Sequence, residues 1–493
     1  MYYPDKQNFI KLAEKGNIIP VYRDMPAGDE TPLTVFSKVD DGEYAYLLES
    51  VEGEEHEARY SFIGSEPRVI LRSKGKSVSM QRGKKTETYI AKKDPIEEMR
   101  LLMSIFSFVE VDGLPRFCGG LVGYMSYDMV RFIERIPDEN PDDLDIPDMQ
   151  MVLADTIFVF DHVEKRIKVV ANALVEGDAG AAYEDACKKI DALVKKLEGQ
   201  APRRKKTNPL LARGGKEFET NFFGEDFYGI VKKAKEYIRA GEVIQIVLSQ
   251  RLKCRTRSDA FSIYKALREI NPSPYMFYLK FGRCRMIGAS PEILVRCEKG
   301  LVEVRPIAGT RKRGESPEED RRLEKELLAN PKERAEHIML LDLGRNDIGR
   351  VCEYSSVKAG EIMRIEKYSH VMHIVSDVTG TLRKDKDIYD LLRATFPAGT
   401  VTGAPKVRAM ELIDELENVR RGPYAGCVGY ISFSGNIDMC ITIRTAVMVE
   451  DTVYIQAGAG IVLDSDPEKE YQETMNKAKA MVKAVEAAEG SEV

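Results

Sequence analysis

Between residues 275 and 304 four short runs of strand-forming residues, 275–281, 284–289, 293–297 and 301–304, follow one another with two or three residues between them. Connections that short only let a chain double back, because a parallel return needs a crossover of a dozen residues or more. This stretch therefore demands antiparallel sheet. Helical periodicity appears around it, at about 224–240, 258–270, 317–329, 331–343, 387–394, 405–416 and 467–488, with further strands expected at 243–252, 371–379, 426–433, 439–449 and 452–457. Upstream, strands are expected at 44–64, 69–90, 117–124, 151–160 and 166–171, with helices at 94–108 and 178–198. Hairpins with surrounding helices indicate an α+β chain rather than alternating βαβ units. A run rich in Pro, Gly and Lys/Arg from Gly199 to Gly215 divides the chain into an N-terminal domain (1–198), a linker (199–217) and a C-terminal domain (218–493). A length of 493 residues also calls for more than one core.

Charge and cysteine usage remove several classes. The formal net charge of −6 provides no basic field for nucleic acid, and Arg203–Lys206 lies in the linker, where a solvated segment explains it. No apolar run approaches the ~20 residues of a membrane span. The opening MYYPDKQNFI has no signal-peptide pattern, and the eight cysteines are scattered without a Cys-x-x-Cys pair. Reduced thiols, no structural zinc and a cytoplasmic location are the expectation. No internal repeat, Walker loop or Gly-x-Gly-x-x-Gly after a strand is present.

The residues that could carry chemistry lie in the C-terminal half. Residues 457–477 (AGAGIVLDSDPEKEYQETMNK) read as a strand end, a Gly-Ala-Gly turn and a helix opened by Asp466, with Pro467 at its first position. Gly458 and Gly460 allow close approach to the backbone. Glu470, Glu473 and Lys477 share one flank of that helix, and Tyr471, Met475, Ala478 and Val482 form its apolar stripe. An anion on the turn with a metal held by the glutamates is one reading. A solvated face with a Glu–Lys pair worth about 0.2–0.5 kcal/mol is the other.

A second helix begins at Asn330-Pro331 and offers Glu333 and Glu336 one turn apart, followed by His337. A capping box accounts for Glu333 alone. Four carboxylates from two helices would repel one another, and a hard dication such as magnesium relieves that. Arg444, amid the apolar strand residues of Cys440–Ala446, needs either a substrate carboxylate or an internal salt bridge. His373, between Val371 and Val375, is a candidate acid–base group or a satisfied core histidine. Glu292 is a general acid if buried, and an edge residue if not. The small-residue loop 396–406 (FPAGTVTGAPK) feeds a helix start suited to anions. Gly426-Cys427-Val428-Gly429 lacks a Gly-x-Cys-x-Gly frame and reads as a packed strand.

Taken together, RPIAGTRKRG, AEHIMLLDLGRNDIGR, FPAGTVTGAPK, GPYAGCVGY and GAGIVLDSDPEKEYQET resemble the chorismate-utilising enzymes. LLES (47–50) and NPSPYMFY (271–278) narrow the resemblance to the large, component I subunits of anthranilate synthases. It implies antiparallel sheets packed as a sandwich with peripheral helices, and a magnesium-dependent amination of chorismate followed by loss of pyruvate to give anthranilate. Carried over by motif, Glu336 and Glu473 would bind magnesium directly, and Glu333 and Glu470 through water. Gly309, Thr310, Tyr424, Arg444 and the backbone of Gly458, Ala459 and Gly460 would hold chorismate, helped by Lys477 and Thr400. His373 and Glu292 match positions near the bond that breaks.

Two positions separate this chain from its relatives. Isochorismate- and salicylate-forming members carry a water-activating lysine where this chain has Gln245, and an amide cannot act as a base. Aminodeoxychorismate synthases read Pro-Ile-Lys-Gly-Thr, whereas here the lysine is replaced by Ala308. Both point to amination leading to anthranilate. Ser50, Pro274, Tyr275 and Met276 match the family's site for tryptophan as feedback inhibitor. The chain has no glutaminase segment, so ammonia is expected from a glutamine amidotransferase partner, component II. Synthesis that stops at aminodeoxyisochorismate or aminodeoxychorismate, and a non-catalytic tryptophan-sensing relative, remain as alternatives.

Overall fold

The computed structural model describes residues 1–51, 59–199, 217–368 and 371–490. Apart from its end residues, the expected linker at 199–217 lies outside the described residues, as does most of the charged loop after LLES.

Two large antiparallel sheets form the centre. The first runs through Ile18–Pro26, Arg166–Leu174, Thr156–Asp161, Tyr60–Ser65, Tyr44–Glu49, Tyr275–Phe281, Cys284–Ser290, Thr445–Val449, Thr452–Ile461, Gln245–Arg255 and Glu219–Thr220. The second runs through Lys358–Ala359, Val378–Thr381, Leu301–Val304, Ile293–Glu298, Ile437–Ile441, Cys427–Ser432, Gly120–Met125, Met149–Ala154, Val69–Lys74, Ser77–Arg82 and Lys85–Ile90. Each sheet therefore takes strands from both sides of residue 199. In the first, Tyr44–Glu49 pairs with Tyr275–Phe281; in the second, Gly120–Met125 pairs with Cys427–Ser432.

Period-two alternation assigns the faces. Tyr46, Phe277, Leu279 and Phe281 point into a layer between the sheets, where Phe62, Phe117, Val122, Tyr124, Val428 and Tyr430 meet them. The Phe117 and Tyr430 rings stack there at 4.2 Å, and Phe62 meets Phe117 edge-on at 5.2 Å. Ala45, Leu47, Met276 and Tyr278 face the other way, against helices Pro32–Val39, Ala179–Glu198, Ala260–Ile270 and Pro467–Gly490. The outer face of the second sheet is covered by Pro95–Ser104, Pro331–Gly349 and Ile388–Thr395. The result is a four-layered sandwich, helix on sheet on sheet on helix, in agreement with the α+β expectation.

Several elements differ from the sequence expectation. The run 439–449 is not one strand: Ile437–Ile441 belongs to the second sheet and Thr445–Val449 to the first. Arg444 stands between them with φ +51°, the left-handed region that a change of sheet requires here. In the same way 371–379 divides into Val371–Val375 and Val378–Thr381. The first of these joins Ile307–Lys312, a strand not foreseen, and Arg364–Lys367 in a small third sheet. Gly458-Ala459-Gly460 is not a turn. It lies inside strand Thr452–Ile461, opposite Ser249, Leu248 and Val247. On the last helix the buried stripe is Thr474, Ala478, Met481, Val485 and Ala488, with Glu470 on the same side, so the expected stripe was rotated.

Candidate active site

Two of the residues expected to meet a substrate lie where the chain changes sheets. Glu292 sits between Cys284–Ser290 of the first sheet and Ile293–Glu298 of the second, and Arg444 sits at the neighbouring crossing. The two crossings are stitched together: the Ile441 N–H donates to the Glu292 carbonyl at 2.9 Å and the Ala289 N–H to the Arg444 carbonyl at 3.1 Å. Ser290 Oγ donates to the Ile441 carbonyl at 2.7 Å.

Glu292 is only 7% exposed. Burial pushes its carboxyl up to about 8, against weaker opposing effects of the Thr400 hydroxyl, the Ile307 N–H and the Lys477 charge. At neutral pH it holds a proton. Glu292 and Thr400 face a cleft with about 400 Å³ of atom-free space, also walled by Ile441, Leu340 and Leu343. Arg444 donates to the Lys477 carbonyl at 2.6 Å. The internal salt bridge that was its alternative is not formed among the described residues. Burial lowers its pKa, while Tyr424 and Glu473 act the other way. A guanidinium held in that state is a receptor for a carboxylate.

The strand pair Gln245–Arg255 and Thr452–Ile461 forms the next wall. A Cβ at Gly458 would lie 2.5 Å from the Tyr424 hydroxyl and 2.9 Å from the Leu248 carbonyl oxygen, so that position has no room for a side chain; one at Gly460 would lie 2.5 Å from Gln245 Nε2 and displace that amide. Lys477 Nζ donates to the Gly458 carbonyl at 3.0 Å and pairs with Glu473 at 2.7 Å. The Glu–Lys pair expected of a solvated face thus exists, but its lysine is tied to the strand. Gln245, 5% exposed, donates from Nε2 to Glu336 Oε1 at 3.1 Å, while its Oε1 has no partner among the described residues.

The third sheet supplies the remaining side. His373 Nδ1 lies 3.0 Å from the Gly309 carbonyl and 3.1 Å from Thr310 Oγ1. Burial lowers the His373 pKa more than the Gly309 carbonyl raises it, which favours the neutral ring. Gly309 adopts φ +63°, and a Cβ there would be 3.1 Å from Glu333 Oε2. Asn330 caps the helix of Glu333 and Glu336 by accepting from the Lys332 and Glu333 N–H groups. Glu333 does not complete a capping box; its carboxylate pairs with Arg311 at 3.2 Å.

The chain matches the chorismate binding enzyme family over residues 44–483. It is 51% identical over 488 residues to anthranilate synthase component 1 of Aquifex aeolicus, covering 98% of this chain and 97% of that one. With anthranilate synthase component 1 of Acetivibrio thermocellus it shares 48% identity over 496 residues, 99% of each chain. Among solved structures, anthranilate synthase component I from Streptococcus pneumoniae superposes with a TM-score of 0.78 at 36% identity, covering 93% of this chain and 99% of that one. The chain belongs to the chorismate-binding enzymes, among the component I subunits of anthranilate synthase. MenF, an isochorismate synthase from Escherichia coli, shares the fold at 18% identity, with a TM-score of 0.70 and coverage of 97% and 98%.

For a chorismate-binding enzyme the carboxylates are the telling group. Burial raises the Glu336 pKa, with Gln245 opposing it and the charges of Glu333 and Glu473 adding to it; Glu470 is raised by burial and again by Glu473. The four acids therefore feel one another across two helices. Their partners here are Gln245, Arg311, Lys477 and, for Glu470, Ser465, and no set of three or more His, Cys, Asp or Glu is arranged as a metal cage among the described residues. The donors, all oxygen and mutually repelling, have the chemistry that suits a hard dication.

Ser50, Pro274, Tyr275 and Met276 line a separate cleft with about 910 Å³ of atom-free space. Its polar end was not foreseen. Asp438 accepts from the Tyr275 hydroxyl at 2.9 Å and from Arg296 at 3.2 Å, and pairs with Arg116 at 3.2 Å. Only the tertiary fold brings these groups to LLES, since they lie on four different segments. Ile307 and Glu366 of the third sheet, with Tyr368 just after its strand Arg364–Lys367, close the same cleft, and Glu366 stands directly opposite His373 in the strand register.

Proposed function

We propose that this chain is the large subunit of an anthranilate synthase, aminating chorismate with ammonia and then releasing pyruvate, so that chorismate and ammonia become anthranilate, pyruvate and water. The observation that carries the reading is a buried Glu292, its carboxyl pushed up to about 8, beside an Arg444 guanidinium that has a carbonyl but no carboxylate partner among the described residues, on adjacent sheet crossings. Arg444 would clamp a substrate carboxylate, with Lys477, Thr310 and the Gly458–Gly460 backbone fixing the rest. The ring hydroxyl leaves poorly as hydroxide, and proton delivery from Glu292 releases it as water; such assistance accelerates by about 10²–10⁴-fold. Gln245 carries no base, which suits ammonia, already a nucleophile, and not water. His373, neutral and oriented by Gly309 and Thr310, stands ready to accept or pass a proton.

Magnesium belongs to the proposal. Glu336 and Glu473 would hold it directly and Glu333 and Glu470 through water, and when bound it would neutralise the ring carboxylate as a Lewis acid. A glutaminase partner would supply the ammonia, tryptophan would bind the Ser50–Tyr275 cleft as feedback inhibitor, and the protein would work in the cytoplasm. No helix among the described residues is long and apolar enough to cross a membrane.

The test is one assay. Chorismate, ammonium and magnesium with the purified chain should yield fluorescent anthranilate, and glutamine should replace ammonium only when the glutaminase subunit is added. Magnesium should also raise the unfolding midpoint of the wild type and not of Glu336→Gln. Accumulation of an aminated intermediate without anthranilate would overturn the elimination step, and no turnover would overturn the enzyme.

A further inference from the structure

Among the described residues the largest fully buried side chain is a cation that none of this chemistry uses. Arg421, 2% exposed, follows helix Lys406–Leu416 and pairs through Nε and NH2 with both oxygens of Glu417, at 2.9 and 2.7 Å. Two further donations leave the pair. NH1 reaches the Val401 carbonyl and NH2 the Val247 carbonyl, each at 2.7 Å. Glu417 in turn accepts from the Ser249 N–H and Oγ, both at 2.8 Å. The Arg421 guanidinium also lies over the Tyr424 ring at 5.5 Å and the Tyr127 ring at 4.9 Å.

Every one of these contacts except Tyr127 falls beside a substrate-facing group. Val401 follows Thr400; Val247 is two residues from Gln245 and pairs in register with Gly460; Ser249 pairs with Gly458; and Tyr424 packs its hydroxyl on Gly458. The planar fork of arginine meets several acceptors at fixed angles, which a lysine ammonium cannot do. A buried ion pair is poor evidence of added stability, because apolar groups of similar size can serve the fold as well.

We infer that Arg421, with Glu417, is a positioning residue for chorismate, setting Thr400, Tyr424 and the Gly458–Gly460 strand at fixed distances around the substrate. The inference rests on the chorismate site proposed above. Displacement of such groups by about 1 Å is enough to cost about 10²-fold in rate.

The experiment compares wild type, Arg421→Lys, Glu417→Gln and the double variant Glu417→Gln/Arg421→Met, in the full chain with ammonium and magnesium. Folded fraction is followed by circular dichroism at the assay temperature. Wild-type turnover of chorismate comes first, so that failure of the proposed function is seen separately. Per folded molecule, Arg421→Lys should raise the chorismate KM about tenfold and lower kcat by at least as much. The double variant, free of an unpaired buried charge, should regain the wild-type unfolding midpoint without regaining kcat/KM. A wild-type kcat and KM per folded molecule in any variant lacking the guanidinium fork would overturn the inference. If Arg421→Lys does not fold, the double variant decides: wild-type constants in it again overturn the inference, and a raised chorismate KM supports it.

Discussion

A carboxyl group that keeps its proton to about pH 8 leaves a mark on stability as well as on rate. The Glu292 pKa is raised in the folded chain above the ordinary value of 4.5, so the native state binds the proton more tightly than the unfolded state. Its contribution is fully present below the ordinary value, declines as pH rises, and is lost above about 8. At about 1.4 kcal/mol per unit, the loss is on the order of 3–5 kcal/mol. Denaturant midpoints between pH 5 and 9 should therefore fall for the wild type and stay flatter for Glu292→Gln, and wild-type turnover should decline as pH passes 8. Equal slopes in the two proteins would mean that the proton is not held at Glu292. The sequence left Glu292 open, as an acid if buried or an edge residue if not, because Ser-Pro-Glu says nothing of the crossing that buries it. Arg421 and Glu417 escaped notice for a related reason. A Glu and an Arg four apart look like a surface pair, and only burial beneath Tyr127 and Tyr424 gives them consequence.

At the scale of elements, hairpins were the most legible feature. Strands Tyr275–Phe281 and Leu301–Val304 have the limits expected of them, because alternation and turn spacing are local properties. Changes of sheet are not local. Arg444 was taken to lie within a strand since its neighbours Ile443 and Thr445 are strand formers, and nothing nearby announces a left-handed residue. The glycines at 458 and 460 suggested a turn, whereas they thin a strand so that Gln245 and Tyr424 can press against it. The third sheet has its own consequence. Ile307 and Glu366 of that sheet, and Tyr368 just after it, wall the LLES cleft, and the sheet also carries Gly309, Thr310 and His373, with the Tyr368 and His373 rings 5.8 Å apart. A ligand that fills the cleft leans on the strands that orient the histidine. Ser50→Phe, which puts a ring into that cleft, should lose tryptophan inhibition while keeping chorismate turnover, measured as the inhibition constant at fixed chorismate. Unchanged inhibition would remove Ser50 from the proposed tryptophan site.

At the scale of the molecule, the division near residue 199 is read from a change in composition alone. Composition could not show that both sheets are laced from the two segments, because strand order is a property of pairing between distant residues. With so many contacts between remote positions, folding should be slow for a chain of this size. The woven sheets also set how the protein can be cut. Expressed as two pieces, 1–199 and 217–493, neither should be soluble alone, each baring strand edges meant for the other. Produced together, the pieces should reassemble by strand exchange into one particle of full-length size in gel filtration, with no covalent link between them. Inheritance of such a chain is all or nothing: neither segment can be traded to another protein as a module, since each is half of the other's fabric.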